Sequence, residues 1–366
     1  MNLSKILGKC KTSFDTENFS DRSIEGVAIN SKKIMKNFIF AAIQGNAING
    51  EKFIPEVLRF KSIVIIIQSD SKLRLDFNRY NLITIIRTDE IRKLVSEISS
   101  IFYPNKIKEK IAVTGTNGKT SIVDYTRQIW DLKEINNGCL GTLGVFNKKK
   151  KILNLQLTTP DPVTLNRILN KLYSSGCRKM ILEASSIGLE QNRLFPLKFE
   201  KIAFTNLTND HLDYHKSFKK YKLAKSLLFT KYSKKSTIAV VNTDTKYSSF
   251  FQTLCKKKKL KVLDFGKKAI FLKIDSIKKV KDSFYVNISL KNQKSKIIFH
   301  CVSIYEIYNR ICSLILVFGE KLSFRDFDLL KSITNPPGRL ENIYKKKDIK
   351  VFVDYAHTPD ALKNVL

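Results

Sequence analysis

The chain carries no Cys-x-x-Cys pair, no long apolar run and few acids for its size. Its six cysteines, Cys10, Cys139, Cys177, Cys255, Cys301 and Cys312, are scattered, and only the last two lie near each other. That distribution argues against zinc ligands and disulfides and leaves reduced thiols. The first twenty residues are broken by Lys5, Lys9, Lys11 and Asp15, so they hold no secretory apolar core. The apolar run Ile63 to Ile67 is a strand's worth, far short of the roughly 20 residues that cross a bilayer. A cytoplasmic protein without membrane insertion is expected. Acids number 33 against 66 Lys and Arg, for a net charge of +33. Such a charge suggests nucleic acid. The lysines, however, come in short runs along the whole chain, such as Lys148–Lys151, Lys256–Lys259 and Lys345–Lys347, and no nucleic-acid motif accompanies them. The chain is also rich in Ile, Asn and Phe, so a general compositional bias accounts for the charge. No specific nucleic-acid partner is expected, only incidental attraction to polyanions.

A hydrophobic content of 43% over 366 residues suffices for real cores and for two or three domains. The organising stretch is Ile111-Ala112-Val113-Thr114-Gly115-Thr116-Asn117-Gly118-Lys119-Thr120. A short apolar run reads as a buried parallel strand, and Ser121–Lys133 reads as a helix. Strand, glycine turn and helix N-terminus make a phosphate cradle, with backbone N–H groups and the positive end of the helix dipole facing the anion. Gly115 and Gly118 let the backbone approach closely. Lys119 would reach the β- and γ-phosphates, and the Thr120 hydroxyl would hold Mg²⁺. The spacing Gly-x-x-Gly-Lys-Thr is two residues tighter than the common phosphate-loop pattern.

Residues 1–105 read as a small α/β unit, with strands at Ser62–Ile67 and Leu82–Ile86 and a helix over Asp89–Phe102. Residues 106–335 alternate strand and helix. Strands are expected at Lys179–Glu183, Lys201–Asn206 and Thr237–Asn242, and helices from near Asp161 and over Ser217–Tyr232. That alternation predicts a doubly wound, mostly parallel sheet with ligands at the strand C-terminal ends. An antiparallel meander is expected over about 268–302, then helices to Ile333. Asn335-Pro336-Pro337-Gly338 reads as a linker. Beyond it, Lys350–Asp354 is a strand and Thr358-Pro359-Asp360 starts a helix. Residues 336–366 are thus expected to begin a Rossmann-like third domain, continued by about 100 or more residues after Leu366.

Glu183, at a strand end, and His211 could hold a second Mg²⁺ against a γ-phosphate. Taken singly, Glu183 reads equally as a surface acid and His211 as an ordinary turn residue. Lys225 reads as one of many solvated lysines. Together, Gly115–Thr120, Leu157-Thr158-Thr159-Pro160-Asp161-Pro162, Glu183-Ala184-Ser185-Ser186 and Phe204–Lys225 resemble the Mur ligases. The Asp210-His211-Leu212-Asp213-Tyr214-His215 run, with its following lysine, is similar to the UDP-N-acetylmuramoyl-tripeptide synthetase branch. The resemblance extends through Gly338-Arg339 and Asp354-Tyr355-Ala356-His357-Thr358-Pro359.

The resemblance implies ATP-dependent addition of an amino acid, diaminopimelate or lysine, to a UDP-N-acetylmuramoyl dipeptide through an acyl phosphate. It implies Lys119, Glu183, His211 and Lys225 as catalytic residues, with Lys225 carbamylated. Metal ligands would be Thr120, Glu183, His211 and the carbamate. Gly115, Thr116, Asn117, Gly118, Lys119, Thr120, Asn309, Arg339 and Asp354 would bind ATP. Ser31, Thr158, Thr159, Ser185, Gln191 and Arg193 would bind the UDP-sugar peptide. A monomer is expected. Four positions depart from the family pattern: Asn30-Ser31-Lys32 for Asp-Ser-Arg, Ile187 for a His, Glu306 for an Asn, and Ser121 for a Thr. On this reading the chain is a fragment that binds nucleotide weakly and does not complete ligation alone. Rival readings are a folylpolyglutamate synthase of the same superfamily and a non-catalytic nucleotide or polyanion binder.

Overall fold

A computed structural model describes residues 1–45, 48–346, 349–358, 362, 363 and 365. The chain divides into two compact units. One comprises Met1–Lys106, Pro160–Tyr173 and Gln191–Leu197; the other comprises Ile107–Thr159, Ser174–Glu190 and Lys198–Leu366.

The first unit is built on a five-stranded sheet. Strands Gly26–Ala28, Phe38–Ala41, Ile63–Gln68 and Ile83–Thr88 run parallel in that spatial order, and Asp15–Glu17 closes the edge antiparallel. Ile63 to Ile67 are all fully buried because the sheet is covered on both faces. Alternate residues feed two cores. Val64 and Ile66 pack with Leu94, Val95 and Ile98 of the helix Ile91–Phe102. Ile63, Ile65 and Ile67 pack with Ile54 and Val57.

The second unit is organised by an eleven-stranded sheet. At its centre the strand Glu109–Thr114 lies between Lys179–Glu183 and Lys201–Phe204, all parallel. Asn137–Gly141 continues the sheet on one side, and Ile238–Asn242 and Lys261–Gly266 continue it on the other, again parallel. The chain therefore builds outward in one direction from Glu109–Thr114, then returns and builds outward in the other. That is the topological switch point where ligands bind in open α/β sheets. The expected meander forms as antiparallel strands Leu272–Val280, Ser283–Leu290 and Gln293–Phe299. A hairpin from Gly144–Asn147 and Lys150–Leu153 extends the opposite edge. Ile111, Ile181, Ala203 and Val240 meet the helices Lys119–Leu132 and Ile304–Phe318 in one core.

The doubly wound, mostly parallel sheet is as expected. Helix Phe218–Thr230 starts where Ser217 accepts the Lys220 N–H. Helix Pro162–Ser174 starts where the Asp161 Oδ1 accepts the N–H groups of Val163 and Thr164. Strands Glu341–Lys346 and Ile349–Val353 form a separate antiparallel ribbon. The helix start expected at Thr358-Pro359-Asp360 lies largely outside the described residues. Among the described residues, no helix is long and apolar enough to cross a membrane.

Candidate functional site

The loop Gly115–Gly118 leaves the central strand at the switch point and feeds the helix Lys119–Leu132. Gly118 caps that helix with φ +87°, in the left-handed region that favours glycine. A Cβ on Gly118 would also come within 2.6 Å of the Asn309 Oδ1, and one on Gly115 would overlap the Thr205 hydroxyl. The segment after the neighbouring strand clamps the loop. The Asn206 Oδ1 accepts the Asn117 N–H at 2.9 Å, and the Asn206 carbonyl accepts the Thr116 N–H at 2.9 Å. The Thr205 hydroxyl donates to the Asn117 carbonyl at 2.6 Å. The Thr116 hydroxyl lies 3.0 Å from the Tyr221 hydroxyl and accepts the Thr208 N–H at 3.0 Å.

Two lysines converge on one carbonyl. Lys119 Nζ donates to the oxygens of Gly115 and Thr116 at 2.9 and 2.8 Å. Lys225 Nζ donates to the same Gly115 oxygen at 2.8 Å and lies 4.5 Å from the centre of the Tyr221 ring. Lys225 is 1% exposed, so its reading as a solvated lysine is overturned. Burial, reinforced by the Lys119 charge, holds its ammonium well below the usual lysine range. Burial also lowers Lys119, opposed by Glu183 and Asp210. A buried amine pushed toward its neutral form is a nucleophile, the state that carbamylation by CO₂ requires.

Glu183 is likewise 1% exposed, which removes its reading as a surface acid. Its Oε2 accepts the Thr120 hydroxyl at 3.0 Å, and its Oε1 accepts the Thr142 N–H at 2.7 Å. Gly141 makes room: a Cβ there would overlap Glu183 Oε1. His211 caps the short turn Leu212–His215 at φ +51°, and its Nε2 lies 3.4 Å from Asp210 Oδ2. Arg339 donates to the Thr120 hydroxyl at 3.4 Å and stacks 4.9 Å from the centre of Tyr355. The Asp354 carboxylate accepts the N–H groups of Leu340 and Ala356 at 2.8 and 2.7 Å, fixing the strand end against the linker.

One pocket of the second unit is lined by Thr116, Asn117, Gly118, Lys119, Thr120, Thr158, Glu183, Ser185, His211, Lys225, Asn309, Arg339 and Asp354. Gly115 and Thr159 do not line it. Thr159 is buried, donates to the Glu183 carbonyl at 2.8 Å and accepts the Ser185 N–H at 3.0 Å. Ser31, Gln191 and Arg193 belong to the first unit. Ser31 is buried at the head of a tight turn in which Asn30 Oδ1 accepts the Lys32 N–H at 3.0 Å. Gln191 Oε1 accepts from Arg193 at 2.8 and 3.1 Å and from Arg92 at 3.3 Å. Glu306, where the family pattern has Asn, does local work. Its Oε1 accepts the N–H groups of Val302 and Ser303 at 3.0 Å, completing a capping box.

The residues fit a nucleotide and a hard cation. Glycines open the cradle, Lys119 at the helix N-terminus offers positive charge, and Thr120 sits against Glu183. Among the described residues no three Asp, Glu, His or Cys side chains cluster tightly enough to hold a metal alone.

The profile of the Mur ligase middle domain matches residues 113–317. The chain belongs to the Mur ligase family. The UDP-N-acetylmuramoyl-L-alanyl-D-glutamate--2,6-diaminopimelate ligase of Rickettsia bellii is 35% identical, over 95% of this chain and 71% of that protein. The enzyme of the same name from Clostridium tetani is 32% identical, over all of this chain and 74% of that protein. A solved structure of a ligase with this name superposes with a TM-score of 0.76 at 24% identity, covering 93% of this chain and 68% of that one.

Thr142, Thr205, Asn206 and Tyr221 were not singled out from the sequence as site residues. For Thr142 a signal existed, the tight Gly141-Thr142-Leu143-Gly144 turn just after a strand.

Proposed function

We propose that this Mur ligase joins diaminopimelate to UDP-N-acetylmuramoyl-L-alanyl-D-glutamate at the expense of ATP, in peptidoglycan precursor synthesis in the cytoplasm. The observation that carries this reading is the convergence of Lys119, Thr120, Glu183 and Lys225 at the switch point of the sheet. The choice of diaminopimelate over lysine rests on the relatives' names. A substrate carboxylate oxygen attacks the γ-phosphorus of ATP, and ADP leaves. The amino acid's amine then attacks the carbonyl of the acyl phosphate. The tetrahedral adduct expels phosphate and the amine loses a proton.

Lys119 and the positive end of the helix Lys119–Leu132 neutralise the transferring phosphoryl group. Thr120 would hold one Mg²⁺. Glu183, His211 and a carbamylated Lys225 would hold a second, and each ion would supply charge neutralisation. An ammonium at Lys225 repels a cation, whereas a carbamate offers two anionic oxygens. Asn309, Arg339 and Asp354 are assigned to the nucleotide. Ser31, Thr158, Thr159, Ser185, Gln191 and Arg193 are assigned to the UDP-sugar peptide. Residues 1–105, 106–335 and 336–366 are assigned to UDP-sugar-binding, ATP-binding and C-terminal domains, and the chain is taken to act as a monomer.

Phosphate release is the test. It is measured on the native protein purified from its own cells, with ATP, Mg²⁺ and the UDP dipeptide, adding diaminopimelate or lysine in turn. Release that requires diaminopimelate supports the reading. Release with lysine alone would change the amino acid. Heat protection by a folate and not by the UDP dipeptide would replace the reading with a folylpolyglutamate synthase.

A further inference from the structure

Thr142 joins two groups that the proposed function uses separately. Its N–H donates to Glu183 Oε1 at 2.7 Å, and its hydroxyl donates to Glu183 Oε2 at 3.3 Å. The same hydroxyl lies 3.2 Å from the Thr158 hydroxyl. Thr120 completes the set with its own bond to Glu183 Oε2. All four side chains line one pocket. Glu183 is buried, whereas Thr142 is exposed to the pocket.

The proton count orders this chain. A carboxylate only accepts, and each threonine hydroxyl has one proton to give. With the Thr142 proton directed to Glu183, the Thr158 proton is directed to Thr142. The hydrogen bonds then converge on Glu183, from Thr158 through Thr142 on one side and from Thr120 on the other. A ligand that takes the Thr158 proton for itself leaves the Thr142 oxygen without a donor and alters how firmly Thr142 holds the carboxylate. The backbone makes the arrangement possible. Gly141 leaves space for Glu183 Oε1, and Gly144, at φ +108°, turns the chain back within two residues.

We propose that Thr142 is a positioning residue that orients the Glu183 carboxylate for the cation and couples it to the UDP-dipeptide site through Thr158. The inference rests on the function proposed above. Its consequence is reciprocal: the UDP dipeptide changes the affinity of the cation–nucleotide pair, and the pair changes the affinity of the dipeptide by the same factor.

Thr142→Val keeps the backbone N–H and the shape and removes only the hydroxyl, and Thr142→Ser restores it. Calorimetric titration of Mn²⁺–ATP into the full chain, with and without UDP-N-acetylmuramoyl-L-alanyl-D-glutamate, reads the coupling without turnover. In the wild type the dipeptide is expected to change the affinity by about fivefold or more. In Thr142→Val the factor falls toward one and the Mg²⁺ concentration for half-maximal phosphate release rises several-fold, while Thr142→Ser behaves as wild type. Thr158→Val breaks the run from its other end. At dipeptide concentrations that saturate the variant it is expected to remove the coupling, and it serves equally if Thr142→Val fails to fold. Coupling retained in both valine variants would overturn the inference, as would an unchanged Mg²⁺ requirement in Thr142→Val. A native protein, purified from its own cells, that binds Mn²⁺–ATP but neither binds the UDP dipeptide nor turns over would instead overturn the proposed function.

Discussion

The middle of the central sheet and its carboxyl end are two or three residues apart and obey opposite rules. Ile111, Ile181 and Ala203 sit in mid-strand, fully buried among hydrocarbon. At the ends of the same three strands come Thr114, Glu183 and Thr205, equally buried but polar, and beside them the ammonium of Lys225. The first set contributes stability through area removed from water, at roughly 25 cal/mol per Å². The second set costs stability, because a desolvated charge is repaid only by its partners. Lys225 has a carbonyl and a ring face as partners, and the neighbouring Lys119 charge opposes it. Burial alone therefore does not mark a core. A strand end that buries unlike and like charges together is one maintained for chemistry.

The comparison breaks most sharply at Lys225. Lys225→Ala removes a buried ammonium whose partners are one carbonyl and one ring face. The expected outcome is loss of phosphate release by roughly 10³-fold or more, with a thermal midpoint equal to or above that of the wild type. Full activity in this variant would remove Lys225 from the chemistry. A large drop in midpoint would make it structural.

Ile181→Ala tests the other member of the pair. It deletes fully buried hydrocarbon from the principal core. It should cost about 3 kcal/mol of stability in urea unfolding, with kcat unchanged at temperatures where the variant stays folded. Activity lost ahead of unfolding would mean that the two regions are not separable.

Much of the frame is legible from residue order, because the strands that matter are short apolar runs with polar ends. Lys179–Glu183 forms with the expected bounds, and the Ser217 cap starts its helix one residue later. The hairpin Gly144–Leu153 escaped because Lys148–Lys151 hides any apolar alternation. The strand Lys261–Gly266 follows the Lys256–Lys259 run and is masked in the same way. The grouping of Pro160–Tyr173 with the first unit is a tertiary choice without a local signal. The site divides likewise. The phosphate loop is local, so its glycines and Lys119 are readable in order. Lys225 and Glu183 gain their character from burial, which appears only when distant segments meet. Thr142 and Tyr221 are ordinary residues until Glu183 and Thr116 come within hydrogen-bond reach.

His215 gives an effect confined to acid pH and sharpens the comparison in the pH dimension. Its ring is fully enclosed, with Nε2 2.9 Å from the Ser186 hydroxyl and Nδ1 3.3 Å from a Glu190 oxygen. Burial, with Lys225 and His211 adding like charge, lowers it from 6.5 to about 4. In the unfolded chain the imidazole protonates near 6.5. Between those values the unfolded state binds the extra proton, so stability is complete above about pH 6.5 and falls as the pH drops toward 4. The loss from this one group is about 3 kcal/mol across that window. His215→Gln keeps a polar group near Ser186 and cannot titrate. Urea unfolding of wild type and variant at steps from pH 7.5 to 4.5 isolates the term. The wild-type curve should fall more steeply below 6.5, and the gap between the two should narrow as the pH decreases. Parallel curves would mean that the ring meets water, and that enclosure at this strand end stops short of His215.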